Sequence, residues 1–260
     1  MVWINEKPQY GPYAGRTVAS YYEPSLLLAV GPALAVGAYI FTCKPESVIG
    51  LIGSAIDLYP VDRKLLFYDD FSYPDGSSGE PFWTTAALND TYGHRLTADF
   101  TVKSGRMIAG RAGAYQIGAL LTGVKAREFK AEVEVELIDF DPKVSNYASI
   151  VYAYRDPDNY RHFVAHWCTD GKIYVIIGKV VAGKGYGAPA WPGLDTGVKF
   201  SKGSKVKILG EVRGNMHTLT LIADGKPFKV SMTDENEEGL IGLGTARTYS
   251  QAFDNFKIYP

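Results

Sequence analysis

Residues 129–140 read "FKAEVEVELIDF", in which apolar Phe129, Ala131, Val133, Val135 and Leu137 alternate with charged Lys130, Glu132, Glu134 and Glu136. Successive side chains of a β-strand point to opposite faces, so this period of two predicts a strand with one buried and one wet face. Strand-like runs recur along the chain: "KLLFYDDF", "RMIAGRA", "AYQIGALLT", "YASIVYAYRD", "YRHFVAHWC", "KIYVIIGKVV", "KVKILGEVRG", "MHTLTLIAD", "KPFKVSM", "GLIGLGTA" and "AFDNFKIYP". Between them lie "PDGSSG", "KSG", "DPDN", "TDGK" and "ADGK". Asp-Gly between two alternating runs is a strong hairpin signal, because glycine supplies the positive φ that tight turns require. The series contains no convincing amphipathic helix and no repeat of fixed period. The pattern predicts an all-β, antiparallel two-sheet sandwich or jelly roll rather than a propeller.

The first 62 residues break this pattern. "MVWINEKPQYGPYAGRTVASYYEP" is rich in Pro, Gly and Tyr and reads as extended chain, and "SLLLAVGPALAVGAYIFTC", residues 25–43, carries no charge. That stretch is just long enough to span a bilayer as a helix. Pro32 in its middle, Gly31 and Gly37, and a second apolar stretch after "KPE" weaken that reading. A secretory signal fits poorly, because the apolar run follows Glu6 and Glu23 without a short basic leader. Two domains are therefore expected: an apolar assembly or anchoring segment over 1–62 and a β-sandwich over 63–260. So much apolar surface is expected to be covered by other copies or subunits, by the sandwich itself, or by membrane through residues 25–43. The side chains that would carry assembly are Leu26, Leu27, Leu28, Val30, Leu34, Val36, Tyr39, Ile40 and Phe41.

Composition narrows the function classes. Across 260 residues, 27 basic side chains face 28 acidic ones, so no basic surface for nucleic acid is expected. Cys43 and Cys168 fit no metal spacing; they form one bridge or, the favoured expectation, stay as two buried thiols. Four scattered histidines make no zinc motif, and no phosphate loop, dinucleotide fingerprint or nucleophile elbow is present.

Two stretches carry candidate binding chemistry. The hairpin "ASIVYAYRDPDNYRHFVAHWC" displays Tyr152, Tyr154, Tyr160, His162 and His166. Pockets combine apolar walls with a few placed polar groups, and this hairpin supplies both, although either alternate set can equally be sandwich core. In its second strand Arg161, Phe163, Ala165 and Trp167 look like core, which makes Tyr160, His162, Val164 and His166 the expected surface set. "VVAGKGYGAPAWPGLDTG", residues 180–197, reads as a long Gly/Pro loop containing Tyr186 and Trp191, with Trp191 either tucked into the domain or presented as a ligand platform or an interface anchor.

The order of "YDDFSYPDGSSGEPFWT", "VKSGRMIAG", "FKAEVEVEL", "ASIVYAYRDPDNYRHFVA", "DGKIYVIIGKVVAG", "VKILGEVRGNMHTLTLIADGKPF", "EEGLIGLGTA" and "AFDNFKIYP" resembles the concanavalin A-like lectin/glucanase superfamily, in its laminin-G-like branch. The resemblance covers roughly residues 66–259; "RDPDNYRHF" and "FDNFKIY" are its sharpest pieces, and the first 62 residues lie outside it. It implies a jelly roll with one concave face, on a fold that hosts glycan-binding modules, adhesion domains, hydrolases and surface appendages, so the fold alone does not select a function. One hydrolase family of this fold carries Glu-x-Asp-x-Glu, whose outer carboxylates act as nucleophile and general acid/base. Glu132, Glu134 and Glu136 match that spacing with glutamate in the centre, but no aromatic side chain flanks them, and solvated surface is the favoured expectation. Related modules also hold a structural Ca2+ where first and last strands meet, which by resemblance would involve Asp70 and Asp254; no other cofactor is expected.

Sequence alone thus favours a non-catalytic display protein of a virion, filament or cell surface, extracellular and assembled with copies of itself or other subunits. A glycan-binding or adhesion module is the first alternative, and a β-glucan hydrolase the second.

Overall fold

A computed structural model describes residues 65–89, 95–110, 116–246 and 250–260. The expectations for residues 1–62, including the boundary near 62, the bilayer and assembly roles and Cys43, fall outside the described residues. In chain order the strands are β1 (Phe67–Asp69), β2 (Trp83–Asn89), β3 (Arg95–Leu96), β4 (Phe100–Lys103), β5 (Arg106–Ala109) and β6 (Ile117–Ala126). They continue as β7 (Phe129–Asp139), β8 (Asn146–Asp156), β9 (Asn159–Trp167), β10 (Lys172–Val181), β11 (Lys184–Ala188) and β12 (Leu194–Lys199). The last are β13 (Lys205–Arg213), β14 (Met216–Ala223), β15 (Lys226–Thr233), β16 (Gly239–Ala246) and β17 (Ser250–Tyr259). No helix occurs among the described residues.

Two antiparallel sheets form a jelly-roll sandwich, as the alternation predicts. Sheet I runs β15-β14-β13-β7-β17-β5-β4, with β1 added beside β17, and sheet II runs β11-β10-β9-β8-β16-β6-β2-β3, with β12 beside β10. The Gly/Pro segment 180–197 departs from the expected loop: β11 and β12 pair with the two ends of β10, on the edge away from β9, and Trp191 lies on the connection between them. Glycines had hidden the period-two signal there.

Between the sheets, Tyr152 stacks on Phe163 at 4.3 Å, and Phe129 packs against Tyr152 at 5.6 Å. Gly210 of β13 makes room for this layer, because a Cβ there would lie 2.1 Å from Phe163 Cδ2. Fully burying one such side chain is worth roughly 1.5–3 kcal/mol. At one corner, Asp69 accepts hydrogen bonds from the Phe71 amide, the Tyr73 hydroxyl and Trp83 Nε1, so its buried carboxylate is well satisfied.

Sheet II is covered on both faces. Phe163 points to sheet I, so its alternates Tyr160, His162, Val164 and His166 point away from it. On that outer face, Leu88, Tyr147, Val151, Tyr160, Val164 and Ile176 belong to a second apolar cluster. The Tyr154 hydroxyl donates to Ala87 O at 3.1 Å and the Tyr160 hydroxyl to Asn89 O at 3.2 Å. Strand β2 is four places from β9 in the sheet, so these bonds require sheet II to curl, with its outer face concave.

Candidate functional site

One end of sheet II's outer face carries an exposed aromatic ring beside a polar row. His166 of β9 lies opposite Tyr174 of β10, which lies opposite Asp195 of β12. Directly opposed residues share a face, so the three side chains stand side by side. The Asp170-Gly171 turn feeds β10 back along β9, and Gly171 supplies its positive φ of 80°. This turn brings Asp170 within reach, and the Tyr174 hydroxyl donates to Asp170 Oδ2 at 2.7 Å. Lys172 Nζ donates to Asp195 Oδ2 at 2.6 Å.

Trp191 completes the patch. It is 54% exposed, and its ring centroid lies 4.2 Å from that of His166. His166 Nδ1 lies 3.1 Å from Pro192 O; a carbonyl can only accept, so Nδ1 carries the proton and donates. Gly193 lets the Trp191 segment lie flat on β10, because a Cβ there would approach Ile176 Cγ1 to 2.3 Å. The far side of the segment is pinned by the Thr196 hydroxyl, which donates to Ile173 O at 2.6 Å.

The hydrogen bonds tune the charged groups. Tyr174 is pushed up to about 12, first by its bond to the Asp170 carboxylate and then by burial. Asp170 is held low by the Tyr174 hydroxyl, and Asp195 by the Lys172 ammonium. At neutral pH the patch therefore presents an indole face, two carboxylates, an ammonium and a protonated phenol. A flat apolar ring beside fixed donors and acceptors can hold a ligand with one apolar face and a polar rim.

Of the residues expected to bind ligand, the structure brings His166 and Trp191 together at this patch, whereas Tyr154, Tyr160 and His162 cluster with one another elsewhere on the face. Tyr152 lies between the sheets, its hydroxyl 2.9 Å from His217 Nδ1. Tyr154 and Tyr160 lie toward β2, at the other end of the concave face. His162 packs edge-on between the Tyr147 and Tyr160 rings, at 5.4 and 5.5 Å, and burial lowers it to about 4. The expectation that Tyr160, His162, Val164 and His166 form a surface set is thus corrected: all four are buried, because their face of sheet II is covered as fully as the inner one. Asp170, Lys172, Tyr174 and Asp195 were not singled out from the sequence, although the "TDGK" turn fixes the register that sets Tyr174 beside His166.

The glutamate row lies on the outer face of sheet I and is not uniformly wet. Glu132 is 8% exposed, with Lys207 Nζ at 3.3 Å, Lys257 Nζ at 3.5 Å and the Tyr259 hydroxyl at 3.3 Å. Glu136 accepts from Arg106 Nη1 at 2.7 Å, with Lys205 Nζ at 3.5 Å, and Glu134 is exposed. Simple solvation is corrected for the outer two, which are ion-paired. A cleft of about 260 Å³ beside Glu134 and Glu136 also contains Asp224 and Asp254, and among the described residues no aromatic side chain lines it.

At the expected calcium position, Asp70 Oδ1 accepts from the Ser72 amide at 3.1 Å and its hydroxyl at 2.7 Å, while Asp254 Oδ1 accepts from the Asn255 amide at 2.8 Å. Burial and nearby Glu134 raise Asp254, against the pull of Arg106. Among the described residues no group of three or more His, Cys, Asp or Glu side chains is placed to hold a metal ion. Calcium takes six to eight oxygens, whereas these two carboxylates cap local backbone.

No family model matches the chain, and no curated protein matches it. Solved structures do. A protein of unknown function with a galectin-like fold from Bacillus subtilis superposes with a TM-score of 0.55 at 8% identity, covering 76% of this chain and 96% of its own. The endo-β-1,3(4)-glucanase SCLam, of glycoside hydrolase family 16, gives 0.53 at 12%, covering 77% and 92%. The carbohydrate-binding module CBM66 from Bacillus subtilis gives 0.52 at 14%, covering 71% and 99%. The fold is therefore a concanavalin A-like, lectin-like jelly roll, as the resemblance implied.

Proposed function

We propose that residues 66–260 form a non-catalytic glycan-binding module whose ligand stacks on Trp191. The observation that carries this reading is the half-exposed indole braced on His166, with Tyr174, Asp170, Lys172 and Asp195 beside it. Sugars have an apolar C–H face and a rim of hydroxyls, and the patch offers a surface for each. Similarity to a carbohydrate-binding module and to a galectin-like fold supports the same class. The family 16 glucanase among the similar structures raises the hydrolytic alternative. Against it stand the ion-paired Glu132 and Glu136 and a neighbouring cleft with no aromatic side chain among its described lining residues. A glycan array probed with the intact protein tests the proposal: binding that Trp191→Ala abolishes supports it, and binding unchanged by that substitution refutes it.

A second, compatible reading places this module on a larger assembly, such as a virion, filament or cell surface. It rests on the uncharged stretch at residues 25–43, an apolar surface that other subunits or lipid would cover where the sandwich itself does not. Electron microscopy of the purified chain tests it: ordered multimers or vesicle-bound particles support display, and a dispersed monomer refutes it.

A further inference from the structure

The charge layout around Trp191 bears on which sugars the site takes; the argument rests on the glycan-binding reading above. Two carboxylates bracket the Tyr174 hydroxyl: Asp170, which accepts its proton at 2.7 Å, and Asp195, directly opposite Tyr174 on β12. The cation among them, Lys172, is paired with Asp195 at 2.6 Å, and its backbone amide donates to Asp170 Oδ1 at 3.1 Å. Asp195 Oδ1 additionally accepts from the Gly197 amide at 2.7 Å, so that carboxylate is anchored at both oxygens. Both carboxylates also act on Tyr174 in the direction that disfavours a further negative charge there.

We infer that this site selects uncharged sugars and discriminates against those bearing a carboxylate, sialic and uronic acids among them. A neutral sugar on Trp191 meets oxygens that accept from its hydroxyls. A carboxylated sugar meets two negative charges; the Lys172 ammonium is already held by Asp195, and Lys199, opposite Lys172 on β12, lies beyond that pair from Tyr174. The His166 ring is 4.2 Å from the Trp191 ring and 6.3 Å from the Tyr174 ring, so a ligand reaching past His166 enters this field. One unmatched charge at about 6 Å, in a medium between water and protein surface, is worth roughly tenfold in Kd.

The test is titration calorimetry with matched pairs: lactose and sialyllactose, galactose and galacturonate oligomers, and xylo-oligosaccharides with and without glucuronate. The expected result is that the neutral member of a bound pair binds about tenfold more tightly, and that the gap narrows at roughly 0.5 M salt. It is also expected to narrow in Asp195→Asn, which keeps the turn acceptor and removes a charge; an unchanged thermal midpoint checks that this variant folds. Equal or tighter binding of the acidic members overturns the charge inference and leaves glycan binding standing. Failure of every neutral and acidic member to bind overturns glycan binding at this site, and the inference with it.

Discussion

Arg161 Nε donates to Asp234 Oδ2 at 3.0 Å, tying the inner face of β9 to the segment that follows β15. Arg161 is almost fully buried; its Nη1 donates to Glu237, while Lys179 Nζ donates to the other Asp234 oxygen at 2.9 Å. Burial works against both charges, yet these bonds leave Arg161 raised and Asp234 lowered. Breaking one side of such a pair strands a buried charge. Arg161→Met is therefore expected to destabilise the domain by about 3 kcal/mol, and Asp234→Asn in the same chain to cost at least about 1 kcal/mol less than the sum of the single changes. Urea unfolding of the four proteins measures this; strictly additive losses contradict it.

Gly178 holds open the space for His162. A Cβ on Gly178 would lie 2.2 Å from His162 Nε2, on the covered face of sheet II. Gly178→Ala is expected to cost about 1–3 kcal/mol through overpacking, and His162→Ala in the same chain to recover part of that loss. Thermal unfolding reads both, and a Gly178→Ala protein as stable as wild type contradicts the packing.

His162 also makes stability depend on pH. Burial lowers it from the usual histidine value to about 4, so between about pH 6.5 and 4 the unfolded chain binds more protons than the folded one. Its contribution is complete above about pH 6.5 and is lost as pH falls towards 4, by up to on the order of 3 kcal/mol. His217, lowered by burial and by Arg161, acts in the same direction. The lowered carboxylates Asp158, Asp170, Asp195 and Asp234 act at more acidic pH. Unfolding free energies across pH 4.5–7.5 are expected to rise with pH in wild type and more shallowly in His162→Phe. An equal slope in the two proteins contradicts this assignment.

The sequence made sheet I legible and obscured sheet II. Strand β7 follows its apolar/charged alternation closely, because one face meets the core and the other meets water and ion pairs. Along β8 and β9 nearly every residue is buried, so apolar side chains occupy both alternate sets and parity no longer tells inside from outside. That is why Tyr160 and His162 were expected at the surface. The glycine and proline neighbours of Trp191 left open whether its ring is tucked in or presented, and the structure leaves it half-exposed. The partners of Arg161 were not, since Asp234 lies 73 residues away and no local spacing encodes that contact.

The two polar faces make opposite predictions for hydrolysis. Glu132→Gln removes half of two ion pairs and is expected to cost about 1 kcal/mol of stability. It is expected to change nothing in a β-glucan reducing-end assay, where wild type itself releases no sugar. Turnover by wild type that Glu132→Gln abolishes would assign the row a catalytic role.

Calorimetric titration of one array-positive neutral oligosaccharide into wild type, Trp191→Ala and Glu132→Gln tests the central claim most directly. The account predicts at least about a tenfold loss of affinity in Trp191→Ala, equivalent to about 1.4 kcal/mol, and wild-type affinity in Glu132→Gln. Full affinity in Trp191→Ala with loss in Glu132→Gln would move the binding site to the outer face of sheet I and contradict the account.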